Sequence, residues 1–166
     1  MDIRSKEGAT TLWERWEFLN NDKCFNSHSH PFAGSVDVYF YKILAGLGLD
    51  EEVSGFKKII LKPIMSGDLP YASASVNTIR GKVVSAWERN DEELRYKVEV
   101  PGNTTAELYI PKNAWDKIEI TEGTKSCWNG ENAVDVEGMT YLREEEKYVV
   151  YQIEAGSYEF KVAPVK

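Results

Sequence analysis

The sequence is short of cysteine, histidine and positive charge, and each shortage narrows what the chain can do. Cysteine occurs only as Cys24 and Cys127 in 166 residues. The two stand far apart, with no CxxC or Cys/His ligand spacing, which excludes a zinc ribbon or a disulfide-dense scaffold. Two free thiols in a reducing compartment are expected; a pairing between them stays open, because spacing gives no Cα separation. Acids outnumber bases 27 to 20, for a formal net charge of -7. That field attracts neither nucleic acid nor an anionic membrane, so neither is expected as a partner. No stretch reaches the ~18 apolar residues of a membrane span. The first residues, MDIRSKEGATT, carry charges where a signal peptide has an apolar core. The expectation is a chain without an export signal, cytoplasmic as it stands. Asn103-Thr104-Thr105 matches a glycosylation sequon, which without a secretory context reads as chance. GxSxG, P-loop and dinucleotide fingerprints are missing, and GLGLD at 46–50 follows a helical pattern, the wrong context for the last. No cofactor is expected.

What is present changes character near residue 55. From Ser35 onward, Val36, Tyr39, Phe40, Ile43, Leu44 and Leu47 recur at three- and four-residue steps, which predicts a helix with one apolar face. Ser35 is placed as its N-cap, and the Gly46/Gly48 pair ends it. A shorter helix is predicted from Thr10 or Thr11 through Leu19, with the polar loop NNDKCFNSHSHPFAG between the two. After Gly55 the period becomes two. KKIILKPI, ASASVNTIRG, KVVSAWERN, ELRYKVEVP, TTAELYIP, DKIEITE, YVVYQIEAG and SYEFKVAP read as about eight strands, separated by turn signals roughly every ten residues. That pattern predicts a mainly β chain, an antiparallel β-sandwich preceded by a short helical segment. A helical pair carrying Trp13, Trp16, Phe40, Ile43 and Leu44 holds more apolar surface than it can bury alone. It must pack on the sandwich, join a larger helical body, or pair with a second copy; a homo-oligomer through this face is one expectation.

Three groups of residues merit chemical attention. In GATTLWERW, residues 8–16, Glu14 lies between Trp13 and Trp16. On a helix the two tryptophans share a face, with Glu14 turned roughly 100° from Trp13. The segment reads either as two core tryptophans beside a solvated acid, with Arg15 and Glu17 as surface charges, or as one wall of a sugar site. In the second reading an indole stacks on a pyranose and the carboxylate works on a water. His28 and His30 in SHSHPFAG have no third ligand in a recognised pattern, although Cys24 and Asp22 are near in sequence, so no metal site is expected. Trp87, Trp115 and Trp128 read as sandwich core or rim, with a sugar-binding platform as the rival.

GATTLWERW, SHSHPFAGSV, a helix ending ILAGLGLD, GFKKIILKP and VPGNTTAELYIP follow one another over residues 8–111. In that order they resemble the C-terminal part of a bacterial α-L-rhamnosidase, a glycoside hydrolase of family 78. The resemblance implies a catalytic (α/α)6 barrel followed by a terminal β-sandwich. Residues 1–54 would be a helical remnant at the tail of that barrel, and 55–166 the sandwich. It implies that Glu14 matches the family's general base, that His30 matches a sugar-contacting histidine, and that Trp13 and Trp16 line or support the rhamnose subsite. Ser29 stands where the family has asparagine. The family's general acid lies in barrel segments that would precede residue 1. The expectation is a truncated piece of an inverting enzyme for terminal α-L-rhamnosyl units, inactive alone, whose sandwich braces the barrel. Rhamnose-containing glycans or glycosides would be the parent's substrates, with the periplasm or the cell exterior as the parent's expected location. The rival is a stand-alone carbohydrate-binding or scaffold module. Exposed coplanar tryptophans on one sheet face would favour binding, and buried ones bracing.

Overall fold

The computed structural model describes residues 6, 8–15 and 27–165, so Trp16, Cys24 and the stretch between them lie outside the described residues. The chain divides into two compact units, Met1–Tyr39 and Phe40–Lys166. No described helix is long and apolar enough to cross a membrane.

Helical structure runs through Pro31–Ser35 as a 3-10 turn, Val36–Val38 as α-helix and Tyr39–Leu44 as π-helix. The predicted start at Ser35 is corrected: Pro31 opens the run with His30 as its cap, without a cap bond from the His30 side chain. Proline suits a first helical position because its ring presets φ and its missing N–H has no partner to lose there. The end is corrected too. Leu47 belongs to a strand, because Gly46 turns the chain at φ +72°. The predicted helix from Thr10 or Thr11 is not formed over Thr10–Arg15, which are bends and irregular backbone, and its remainder lies outside the described residues. Val36, Tyr39 and Phe40 are exposed, while Ile43 and Leu44 are half-buried.

The second unit is a sandwich of two sheets. One has the order β1 (Leu47–Leu49), β2 (Lys58–Leu61), β6 (Thr105–Pro111), β10 (Tyr148–Ile153), β9 (Met139–Glu144). The other runs β3 (Tyr71–Thr78), β4 (Gly81–Arg89), β5 (Leu94–Val100), β11 (Gly156–Pro164), β7 (Ile118–Glu122), β8 (Lys125–Trp128). Neighbours are antiparallel except β2 and β6, which run parallel. The eight predicted strands are present, joined by β1, β8 and β9.

Alternation decides which side chains enter the core. Leu94, Tyr96, Val98 and Val100 of β5 are buried while Arg95 and Lys97 point to water, and β11 repeats this with Tyr158, Phe160 and Val162. Leu61, Leu108, Ile110, Tyr151 and Ile153 meet them from the first sheet in one apolar cluster. Cys127 is a buried thiol, and burial with the Glu122 charge pushes its pKa up to about 11.

Two polar anchors hold the end of the helical run against the second sheet. The Trp87 indole N–H donates to the Leu44 carbonyl at 2.7 Å, and the Ser85 hydroxyl donates to the Ala45 carbonyl while lying 3.1 Å from the Tyr96 hydroxyl. Ser85 is fully buried. Ser85→Ala leaves a buried carbonyl short of a donor, so urea denaturation is expected to show a loss of about 1–3 kcal/mol; an unchanged midpoint would remove the anchor from the account.

On the outer face of the first sheet, Glu107 accepts from Arg143 at 2.8 Å and from the Tyr109 hydroxyl at 2.9 Å, with Lys58 at 3.4 Å. Partial burial raises its pKa, but the bonds from Arg143, Tyr109 and Lys58 outweigh that and hold it below the usual glutamate value. A depressed pKa contributes stability above the unfolded value, and that stability fades as pH falls through the folded value. Glu107→Gln is therefore expected to narrow the gap between the urea midpoints at pH 7 and pH 3.

Candidate functional site

The GATTLWERW and SHSHPFAG segments come together in the first unit. The His30 amide donates to the Leu12 carbonyl at 2.7 Å, and the Glu14 amide donates to the Ser27 carbonyl at 2.9 Å. The Thr11 hydroxyl donates to the His28 carbonyl. The two stretches thus run antiparallel, and these bonds take the place of the i→i−4 ladder a helix would need. Threonine at the start of the segment favours this outcome, because its short hydroxyl competes for backbone partners.

Within this frame the side chains diverge. Trp13 is 6% exposed, with its ring stacked on His28 at 4.6 Å between centroids and 25° between planes. Glu14 is exposed, and its Oε2 accepts the Ser27 amide N–H at 2.9 Å. His30 is half-buried, its ring edge-on to Phe32 at 6.3 Å. Trp13, Glu14 and His30 therefore share one small antiparallel frame, and Trp16 lies outside the described residues.

Sequence reasoning gave Ser27 no role and did not foresee the packing of His28 on Trp13. Ser27 fixes the Glu14 carboxylate with its backbone, and its hydroxyl donates to the Ser29 carbonyl at 2.7 Å while accepting the Ser29 amide at 3.0 Å. A backbone N–H leaves no side-chain signal to find. His28, weighed only with His30 as a metal pair, packs on Trp13, and the one available hint was its place in SHSH. Among the described residues no group of three or more histidine, cysteine or acidic side chains is set to hold a metal.

The strand tryptophans go to the interior. Trp87 and Trp128 are buried in the sandwich core, and Trp115 packs against it partly buried.

Comparison with known proteins decides the family. The model of the bacterial alpha-L-rhamnosidase 6 hairpin glycosidase domain matches residues 3–44, and that of the bacterial alpha-L-rhamnosidase C-terminal domain matches residues 48–125. This chain belongs to the bacterial α-L-rhamnosidase family, as a C-terminal portion. An alpha-L-rhamnosidase of Formosa agariphila is 31% identical over 93% of this chain and 16% of its own length. A solved alpha-L-rhamnosidase from Dictyoglumus thermophilum is 38% identical, with a TM-score of 0.78, over 96% of this chain and 17% of that one. The Streptomyces avermitilis alpha-L-rhamnosidase, solved in complex with L-rhamnose, is 28% identical with a TM-score of 0.67, over 98% and 14%. The chain thus spans about a sixth of the length of the relatives it matches. The Trp13–Glu14 frame falls in the part matched to the glycosidase domain, and the sandwich supplies the part matched to the C-terminal domain.

Proposed function

We propose that this chain is the C-terminal portion of an inverting α-L-rhamnosidase, in which Glu14 is the general base and the sandwich braces the helical body. The observation that carries this reading is the Glu14 carboxylate itself: open to water, fastened through Oε2 to the Ser27 amide, and adjacent to the stacked Trp13–His28 pair. A base must be oriented and must reach a water, and the Ser27 backbone bond orients this carboxylate while leaving the residue exposed.

In an inverting hydrolysis the base deprotonates water attacking the anomeric carbon, while an acid on the opposite side protonates the leaving oxygen. The two carboxyl groups stand roughly 6.5–9.5 Å apart to admit that water. The described part of the first unit carries two carboxylates, Glu14 and Asp37. The acid is assigned to the part of the enzyme outside this portion. Trp13 and Trp16 would support the rhamnosyl ring and His30 would bond a sugar hydroxyl. Bracing is supported by the burial of Trp87 and Trp128 and by the two anchors on Leu44 and Ala45.

The purified 166-residue chain, incubated with p-nitrophenyl α-L-rhamnoside, is expected to release no p-nitrophenol above the uncatalysed rate. Turnover at an ordinary enzyme rate of about 1–1,000 per second would overturn the assignment of the acid to another part of the protein.

A further inference from the structure

The second sheet turns one face away from the core, and that face is not uniform. Cross-strand register places Tyr71, Glu88, Arg95 and Lys161 in one row of long side chains over β3, β4, β5 and β11. The next row begins with Ser73 and Ala86 and continues with Lys97 and Glu159. Two small residues beside tall neighbours leave a trough of about 560 Å³, with Ser73 and Ala86 in its lining. Across the Tyr71–Glu88–Arg95 ridge lies a second depression of about 290 Å³, bordered by Pro70, Asn90 and Glu93. The two share those three ridge residues, so they form neighbouring compartments on either side of a partly aromatic ridge.

The chemistry of the lining selects a kind of occupant. The lining carries four cations, Arg89, Arg95, Lys97 and Lys161, and three acids, Glu88, Glu93 and Glu159, with the Arg89 guanidinium spent on the Leu69 and Gly67 carbonyls and the Asn113 side chain. Arg95 lies 2.7 Å from Glu93, Lys161 lies 2.5 Å from the same carboxylate, and Lys97 lies 3.3 Å from Glu159. With Arg89 so engaged, the remaining three cations and three acids balance, and the groove exerts no strong net attraction on an anion or a cation. What it offers is alternating donors and acceptors, the arrangement that matches hydroxyl groups able to do both. Tyr71 is 66% exposed at the shared ridge, an aromatic body with a polar tip. A volume of this size falls in the range of small-molecule sites, and a second compartment beside it adds length.

We infer that the outer face of this sheet is a glycan-binding groove for a neutral oligosaccharide, with Tyr71 as the stacking platform between two sugar positions. The choice of a rhamnosyl probe rests on the proposed function; the groove itself does not, since it lies wholly in the sandwich and uses none of Trp13, Glu14 or His30.

The test is a titration of the 15N-labelled 166-residue chain with a trisaccharide of α-linked L-rhamnose, with neutral cellotriose and anionic trigalacturonate alongside, each to about 20 mM, well past a millimolar Kd. Saturable shifts confined to the surroundings of Tyr71, Ser73, Ala86 and Lys97 with either neutral sugar are expected. Tyr71→Ala should weaken binding about tenfold, and Ser73→Trp, which fills the trough while keeping the charged walls, should abolish it. Glu14→Gln should leave it unchanged, which separates this groove from the hydrolytic site. Absence of saturable shifts with both neutral sugars, stronger binding of trigalacturonate, or binding indifferent to both groove variants would overturn the inference.

Discussion

Replacing Glu14 by glutamine is expected to lower kcat by about 10²–10⁴ while leaving KM within a few-fold, the signature of a lost general base. The measurement uses a chimera in which this chain replaces the matching C-terminal portion of the Dictyoglumus thermophilum enzyme, the 38%-identical relative. Glutamine keeps the length and an oxygen able to accept the Ser27 amide now held at 2.9 Å, so the frame of Leu12, Glu14, Ser27 and His30 should persist. It cannot take a proton from water. An equal loss in an Arg15→Gln chimera would point to general disruption, and an unimpaired Glu14→Gln chimera would remove the residue from the chemistry. Because inverting and retaining reactions give opposite anomers, the product's configuration by NMR tests the mechanism independently.

The second large effect concerns one glycine. Gly46 sits at φ +72°, where an added Cβ would lie 2.1 Å from the Pro63 nitrogen and 2.2 Å from the Lys62 carbonyl carbon. The obstacle is backbone, so no rotamer change relieves it. Moving it breaks the 2.8 Å bond from the Lys62 amide to the Gly46 carbonyl and disturbs the β1–β2 register that pairs Leu47 with Leu61. Gly46→Ala is therefore expected to cost about 2–6 kcal/mol, combining left-handed strain with overpacking. Gly55 is the control. Its φ is +73°, but nothing lies within 4 Å of its added Cβ. Gly55→Ala should show only the left-handed cost of about 1–2 kcal/mol. Similar losses at the two positions, read from urea midpoints, would mean that the contact at Gly46 is not what matters there.

Leu94-Tyr96-Val98 announced the sandwich because β5 has one wet face and one dry face, and Ala106 and Leu108 start β6 in the same alternation before Tyr109 and Pro111 bury its other face as well. The three strands left unread lack such a record. β9 buries little: Met139 packs on the core and Tyr141 stacks on Trp128, but every residue after Met139 stays exposed, and Leu142 on the opposite face blurs the alternation. β8 has four residues, and β1 is Leu-Gly-Leu beside a glycine that reads as a helix stop. The N-terminal segment misled for a different reason. Apolar spacing in TTLWERW fits a helix, but spacing carries no information about Ser27, His28 and His30, whose backbones provide the competing hydrogen bonds. Of the site, the divergence of Trp13 and Glu14 was read from a helix that Thr10–Arg15 do not form, and the surroundings that orient Glu14 left no signal in the sequence.

The place of β11 in the second sheet bears on how the molecule is made. It is the last strand in chain order, yet it lies between β5 and β7, with β5 pairing along one edge and β7 along the other. Until it arrives, that sheet exists as two separate pieces, a β3–β4–β5 meander and a β7–β8 hairpin, each with an open edge. During synthesis the meander emerges first and must wait, unsealed, while more than fifty residues follow Val100. Completion of the sandwich is consequently tied to synthesis of Gly156–Pro164. A ribosome that stops short of Gly156 releases a product with two sticky edges and no shared core, the kind of species that quality-control proteases and aggregation both claim.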